Sequence, residues 1–266
     1  VSIIFSAHGY QSVLFDVSEA VLEAVPTRLQ MMAGFFAERE IIAKELLADT
    51  LPRITVVSDL SQAVANADLL SESVPERLEV KRKVHKELDE LCPPKTIITT
   101  NTSSLVLSDF ENVVKRGEQF AAFHFNGGTP LLDIAGGPRT SPTTIDILTR
   151  LAKSIGLEPV VLKREKDGYL SNSILIAICI TSLILLIDGH ADVADIDRSY
   201  MLVHGQERGP FAMMDGVGLN VISDIIEEQG SRIPNKAEDA KKIVEFLRPY
   251  IERGDLGTKT GKGFYS

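Results

Sequence analysis

The chain has 266 residues, 44% hydrophobic and 24% charged, which is long and apolar enough to bury a sizeable core. A net charge of −9 argues against a nucleic-acid partner. Two cysteines without metal-ligand spacing argue against a disulfide scaffold or a metal centre, and predict a soluble protein of a reducing, cytoplasmic compartment.

From Val1 the chain runs within an apolar helical pattern over residues 1–9, ended by Gly9, and the expectation is that residues precede Val1. Ser12–Phe15 reads as a strand stopping at Asp16. Ser18 is an N-cap for a long helix over 19–48, with a break expected at Pro26. Strands follow at Ile54–Val57 and 68–74, separated by a short helix over 59–67, and a helix from Pro75 to Leu91 comes next. Further strands are expected at Ile97–Thr100, 120–123, 131–135 and 159–162, with helices over 107–114 and 141–155. This alternation predicts a parallel, doubly wound α/β sheet over residues 1–164. Beyond Lys166-Asp167-Gly168 the pattern is helical, near 169–188, 194–203, 210–228 and 236–253, which predicts an all-helical domain over 165–266.

Two stretches invite other readings. Lys81-Arg82-Lys83 through Lys86 alternates with Glu79, Glu87 and Asp89, the pattern of a solvated helix face. The apolar run from Ile174 to Ile187 spans 14 residues, short of the ~18–20 that a membrane-crossing helix needs. It reads instead as a helix buried in a core or an oligomer interface, with no membrane partner.

The chemistry-bearing residues stand at strand ends, where open α/β sheets bind ligands. Asp16 ends an apolar strand after a helix and a glycine. It is either a turn residue or the acid that accepts from the adenosine ribose of NAD, whose fingerprint glycines would lie ~20 residues earlier, before Val1. His124 ends the run Phe120-Ala121-Ala122-Phe123, and Asp133 ends the next. A carboxylate on one imidazole nitrogen fixes the tautomer and leaves the other nitrogen basic, though His124 could equally be a satisfied core histidine. Ser103 and Ser104 follow the strand at Thr100 and could cap a helix beyond Leu105, and Asn172 could be a buried polar cap.

Asn101-Thr102-Ser103-Ser104-Leu105, followed 21 residues after Ser103 by His124-Phe125, resembles the signature of the L-3-hydroxyacyl-CoA dehydrogenase family, of the 3-hydroxybutyryl-CoA dehydrogenase kind. Glu76 with Lys81, Gly168-Tyr169-Leu170-Ser171-Asn172, Asp195-Ile196-Asp197, Gly209-Pro210-Phe211, Asp215-Gly216-Val217-Gly218-Leu219-Asn220 and the closing Leu256–Tyr265 stretch follow in the family's order. The resemblance implies a Rossmann-type domain, its first strand and glycine loop lying before Val1, and a helical domain that pairs two subunits. It implies NAD-dependent oxidation of a 3-hydroxyacyl-CoA to the 3-ketoacyl-CoA, and the reverse, within fatty-acid β-oxidation chemistry. His124 would be the general base, Asp133 its orienting carboxylate, and Ser103 and Asn172 the substrate-oxygen ligands. Asp16, Glu76, Lys81, Asn101 and Ser103 would face NAD.

The chain departs from the family in having Asp133 where glutamate is usual and Ser173 where arginine is common. Its His-Phe-Asn is one residue shorter than the family's His-Phe-Phe-Asn, and the loop from His124 to Asp133 is about three residues short, loops being where length varies. These departures imply a divergent branch and leave Asn126 without a role. Two other functions stay open: an NAD-dependent dehydrogenase of a free 3-hydroxy acid or sugar acid, and a non-catalytic NAD-binding or structural protein.

Overall fold

Short apolar runs bounded by polar or small residues become strands, and the amphipathic stretches between them become helices. In chain order these are α1 (Ser2–Ala7), β1 (Ser12–Phe15), α2 (Glu19–Glu38), α3 (Leu47–Thr50), β2 (Ile54–Val57), α4 (Leu60–Val64), β3 (Leu69–Glu72), α5 (Leu78–Leu91), β4 (Ile97–Thr100), β5 (Phe120–Phe125), β6 (Leu131–Gly136), α6 (Pro142–Ser154) and β7 (Glu158–Val161). The computed structural model describes residues 1–232 and 237–265. The chain forms two units, Val1–Tyr169 and Leu170–Ser266.

In the first unit β1 pairs with β2, and a second sheet runs in the order β3-β4-β5-β6-β7. Every pairing is parallel except β5 with β6. The expectation of a wholly parallel sheet fails there for a geometric reason. Residues 126–130 alone join the two strands, whereas a parallel return needs a crossover of roughly a dozen residues or more.

Other expectations also shift. Helix α2 runs through Pro26 and ends at Glu38; the break comes at Glu40, which takes a left-handed φ of +56°. The helix expected over 107–114 forms two 3-10 turns, Leu107–Asp109 and Glu111–Val113, parted by Phe110 at φ −144°. Helix α5 starts at Leu78 rather than at Pro75.

Strand alternation sorts side chains onto two faces. Ala121 and Phe123 of β5 join Leu132 and Ile134 of β6 under α1 and α6 in one core cluster. Phe120 and Ala122 join Ala135, Leu88 of α5 and Tyr169 in the other. Each such fully buried large side chain contributes roughly 1.5–3 kcal/mol.

In the second unit α7 (Tyr169–Ile187), α8 (Val193–His204), α9 (Pro210–Val217), α10 (Leu219–Arg232) and α11 (Ala237–Arg253) enclose a core built on Ile176, Cys179 and Leu183 of α7 with Phe211, Met214, Ile222 and Leu247. The single helix expected over 210–228 is divided at Gly218, whose φ of +106° suits glycine. The expected start of the last helix at residue 236 lies outside the described residues.

Helix α7 forms where a helix near 169–188 was expected, and it is longer than the 14-residue apolar run within it. Its uncharged first turn extends it to 19 residues, long and apolar enough by length and composition to cross a membrane, and 22% of its apolar window is buried. One such helix is weak evidence of a membrane, because the core helix of a soluble protein passes the same test. Carboxylates organise the rest of this unit. Asp197 Oδ1 accepts from Phe211 N–H (2.8 Å), and its Oδ2 accepts from Ala212 N–H (3.1 Å) and the Tyr265 hydroxyl (2.8 Å). Asp215 accepts from the N–H groups of Phe264 and Tyr265, each at 2.9 Å. The glycine- and aspartate-rich motifs of the C-terminal third thereby fasten the chain end to α9.

Candidate active site

The antiparallel register of β5 and β6 sets His124 directly opposite Asp133. Opposed residues of a pair project to the same face, here the one shared with Phe120, Ala122, Ala135 and Tyr169. Both are buried, with His124 5% and Asp133 1% exposed. His124 Nδ1 lies 3.3 Å from Asp133 Oδ2, and Nε2 lies 3.1 Å from Ser103 Oγ. An ionised carboxylate can only accept, so the network assigns the neutral ring's proton to Nδ1 and leaves Nε2 to accept from the Ser103 hydroxyl. The structure thus brings together Ser103, His124 and Asp133 and replaces the core-histidine reading with a polar chain.

Asn126 joins this chain. Its Nδ2 donates to Asp133 Oδ2 at 2.8 Å, the oxygen that His124 also uses, while Asp133 Oδ1 is buried without a hydrogen-bond partner. Sequence comparison leaves Asn126 without a role because its meaning depends on a hairpin whose length differs here.

Tyr169 is the residue that sequence reasoning missed. Its ring stacks on His124 at 4.7 Å between centroids and 11° between planes, and its hydroxyl donates to Thr102 O at 2.9 Å. Gly168 and Tyr169 both take left-handed backbone, at φ +71° and +50°. For a bulky residue that conformation costs on the order of 1–3 kcal/mol and persists where its surroundings enforce it. Burial, then the charges of Asp133 and Glu76, hold the Tyr169 phenol well above its ordinary value. The available signal was the Gly-aromatic step after Asp167, which marks a sharp turn into a helix.

The Ser103 loop is held from its other side. The segment directly after Leu105 forms 3-10 turns and no α-helix, so Ser103 and Ser104 do not cap one. Glu76 Oε1 accepts instead from the N–H groups of Ser103 (2.9 Å), Ser104 (2.8 Å) and Leu105 (3.3 Å), and from the hydroxyls of Thr102 and Ser104. Burial pushes the Glu76 carboxyl up, but the Thr102 hydroxyl, the Ser104 N–H and the Lys81 charge outweigh it and leave it below the ordinary carboxylate range.

The solvated-face reading holds for Glu79, Arg82, Lys83, Lys86 and Glu87, but behind Glu76 Lys81 departs from it, as does the buried Asp89. Lys81 is 1% exposed, with Nζ 3.0 Å from Glu72 Oε1 and 3.2 Å from Glu76 Oε2. Glu72 Oε2 also meets His85 Nε2 (2.9 Å) and accepts from the Thr100 hydroxyl (2.7 Å). Burial works against the Glu72 charge, but the hydrogen bond and charge of His85, the Lys81 charge and the Thr100 hydroxyl hold its carboxyl at about 2. Lys81, expected to face a cofactor, is spent on these carboxylates and can act on one only through Glu76.

Three further expected residues are not among the contacts above. Asn101 Oδ1 accepts from Phe125 N–H at 2.9 Å, tying the end of β4 to β5. Asp16 is half-buried at the end of β1, with Oδ1 accepting from Ser18 N–H at 2.9 Å. Asn172 is in the first turn of α7, half-buried. A cavity of about 500 Å³ lined by Lys115, Arg116, Glu118, Gln119 and Arg139 contains none of these residues.

Comparison with known proteins gives this geometry a context. The 3-hydroxyacyl-CoA dehydrogenase NAD-binding domain profile matches residues 1–165, and the C-terminal domain profile of the same family matches residues 168–266. The chain is 31% identical to the mitochondrial hydroxyacyl-coenzyme A dehydrogenase of Sus scrofa, over 98% of this chain and 84% of that protein. Among solved structures, a diketoreductase described as acting on dicarbonyl compounds superposes with a TM-score of 0.88 at 33% identity, covering 99% of this chain and 93% of that one. (S)-3-hydroxybutyryl-CoA dehydrogenase from Ralstonia eutropha gives a TM-score of 0.86 at 25% identity, with the same coverage. The cofactor of such proteins is NAD, and the chain belongs to the 3-hydroxyacyl-CoA dehydrogenase family.

Proposed function

We propose that the chain oxidises a 3-hydroxyacyl-CoA to the 3-ketoacyl-CoA and catalyses the reverse reduction, with His124 moving the proton. The carrying observation is the chain of contacts from Ser103 Oγ through His124 to Asp133 Oδ2. With the Nδ1 proton turned toward Asp133, Nε2 is the basic atom, and it takes the proton of the substrate 3-hydroxyl. Asp133 then stabilises the imidazolium without itself taking up the proton. The Ser103 hydroxyl, now facing the substrate instead of a free Nε2, holds the reacting oxygen, and Asn172 is a second ligand for it. In reduction the imidazolium returns the proton to the 3-keto oxygen.

NAD, when bound, supplies the two-electron acceptor for the hydride that leaves C3. The residues present fit it. Asp16 has one oxygen on Ser18 and its other for ribose hydroxyls, and Glu76 keeps a third of its side chain exposed beside Ser103 on the nicotinamide side. Asn101 and Lys81 support that wall from behind. Two buried free thiols, Cys92 and Cys179, support a reducing, cytoplasmic setting. The exposed Leu170, Ile174 and Leu185 of α7 support a homodimer through the helical unit.

A second reading keeps the chemistry and replaces the thioester by a smaller dicarbonyl or free hydroxy acid. The likeness to a diketoreductase at 33% identity favours it. NADH oxidation measured with acetoacetyl-CoA, free acetoacetate and a simple diketone separates the readings. The first predicts at least tenfold higher kcat/KM with acetoacetyl-CoA, and comparable values with the free compounds contradict it.

A further inference from the structure

Asp133 Oδ2 is shared unequally. The Asn126 amide approaches it to 2.8 Å and His124 Nδ1 to 3.3 Å, while Oδ1 is buried with no partner. An aspartate that served the histidine alone would turn an oxygen into a short, charge-assisted bond, near 2.7–2.9 Å. Here the shorter bond goes to a neutral amide, set by a tight turn in which Asn126 N–H also donates to Leu131 O at 3.3 Å.

We propose that Asn126 is a positioning residue for the histidine, one that shares Asp133 Oδ2 and holds the carboxylate back from the imidazole. A carboxylate already accepting from an amide has less capacity to stabilise an imidazolium, because its charge is partly committed. The imidazolium formed as His124 takes the substrate proton is then held by Asp133 through the longer of the two bonds. The other groups around the ring are fixed elsewhere. Tyr169 at the start of α7 stacks on it, and Ser103 holds Nε2. Glu76 and Lys81 lie beyond the Ser103 loop and are paired with each other. Removing the Asn126 side chain therefore frees Asp133 Oδ2 and, within the turn, gives up only a longer bond from Nδ2 to Leu131 O at 3.4 Å.

The inference rests on His124 as the proton-transfer residue, and one of its two tests needs no turnover. In protein labelled at the histidine nitrogens, Asn126→Ala is expected to move the His124 Nδ1–H resonance downfield as the bond to Asp133 shortens. The acidic limb of the kcat/KM profile for oxidation is expected to move up by about half a pH unit. In an Asp133→Asn background the same substitution is expected to move neither, which isolates the coupling from any general loosening of the turn. An unmoved resonance in Asn126→Ala, or an equal movement in the Asp133→Asn background, overturns the inference. An unmoved limb with a raised KM for NAD also overturns it, assigning Asn126 to the cofactor. If wild-type protein shows no hydroxyacyl-CoA turnover but the resonance moves as expected, the positioning stands and the substrate reading fails.

Discussion

Ser103 stands between two polar clusters, each built on a buried carboxylate, that use those carboxylates in opposite ways. On one side Glu72 and Glu76 are engaged by Lys81, His85, the Thr100, Thr102 and Ser104 hydroxyls and four backbone N–H groups, with His85 Nδ1 left unpartnered. On the other side Asp133 carries one short bond from Asn126 and one long bond from His124, and has an idle oxygen. The buried Glu72 carboxylate of the first cluster, with every oxygen engaged, serves shape, and only the exposed part of Glu76 faces outward. A cluster with spare capacity, beside an imidazole whose Nε2 can exchange a serine for a substrate hydroxyl, is poised for chemistry. Substitutions on the first side should therefore be read in stability and those on the second in turnover.

The largest separation is expected from Lys81→Met. It strands the Glu72 and Glu76 charges under the Ser103 loop and should cost about 3–5 kcal/mol of stability, the scale for removing one partner of a buried ion pair. Denaturant titration checks it, and a loss below about 1 kcal/mol would place the pair among weak surface bridges. On the other side Asp133→Asn should lower kcat by roughly a hundredfold, because an amide leaves an imidazolium unstabilised. Its unfolding midpoint should shift less than that of Lys81→Met.

Ser103→Ala is expected to cost about tenfold in kcat/KM, the scale of one neutral hydrogen bond to the reacting oxygen. A further effect is confined to acid pH. Glu72 is held at about 2 from a starting value of 4.5, so its stabilisation is fully present above pH 4.5. It is lost as the pH falls from 4.5 toward 2, where the unfolded chain binds a proton that the folded one refuses. Glu72→Gln should flatten the stability–pH curve within that window, as followed by denaturant titration from about pH 2 to 5.

The contrast between the clusters was only half legible in the sequence. Strand-end positions and spacing single out Ser103, His124 and Asp133, because a period of two and a tight return dictate which residues can meet. Lys81 was misread because charge alternation is a helix-surface signal, and no local pattern shows that Glu72, nine residues earlier on β3, lies beneath it. Tyr169 was hidden because stacking on His124 joins positions 45 residues apart. Its left-handed backbone is a tertiary constraint that local propensity opposes. Asn126 depended on the hairpin register, which only the paired strands of β5 and β6 establish.

The direct test of the central reading is the turnover of His124→Gln, measured as NADH oxidation with acetoacetyl-CoA alongside NADH binding by fluorescence. Glutamine keeps a polar side chain at the site but cannot exchange a proton near neutral pH. Turnover is predicted to fall by about 10²–10⁴-fold with NADH binding and thermal midpoint retained. Turnover within a few-fold of wild type would contradict the assignment of His124 as the proton-transfer residue.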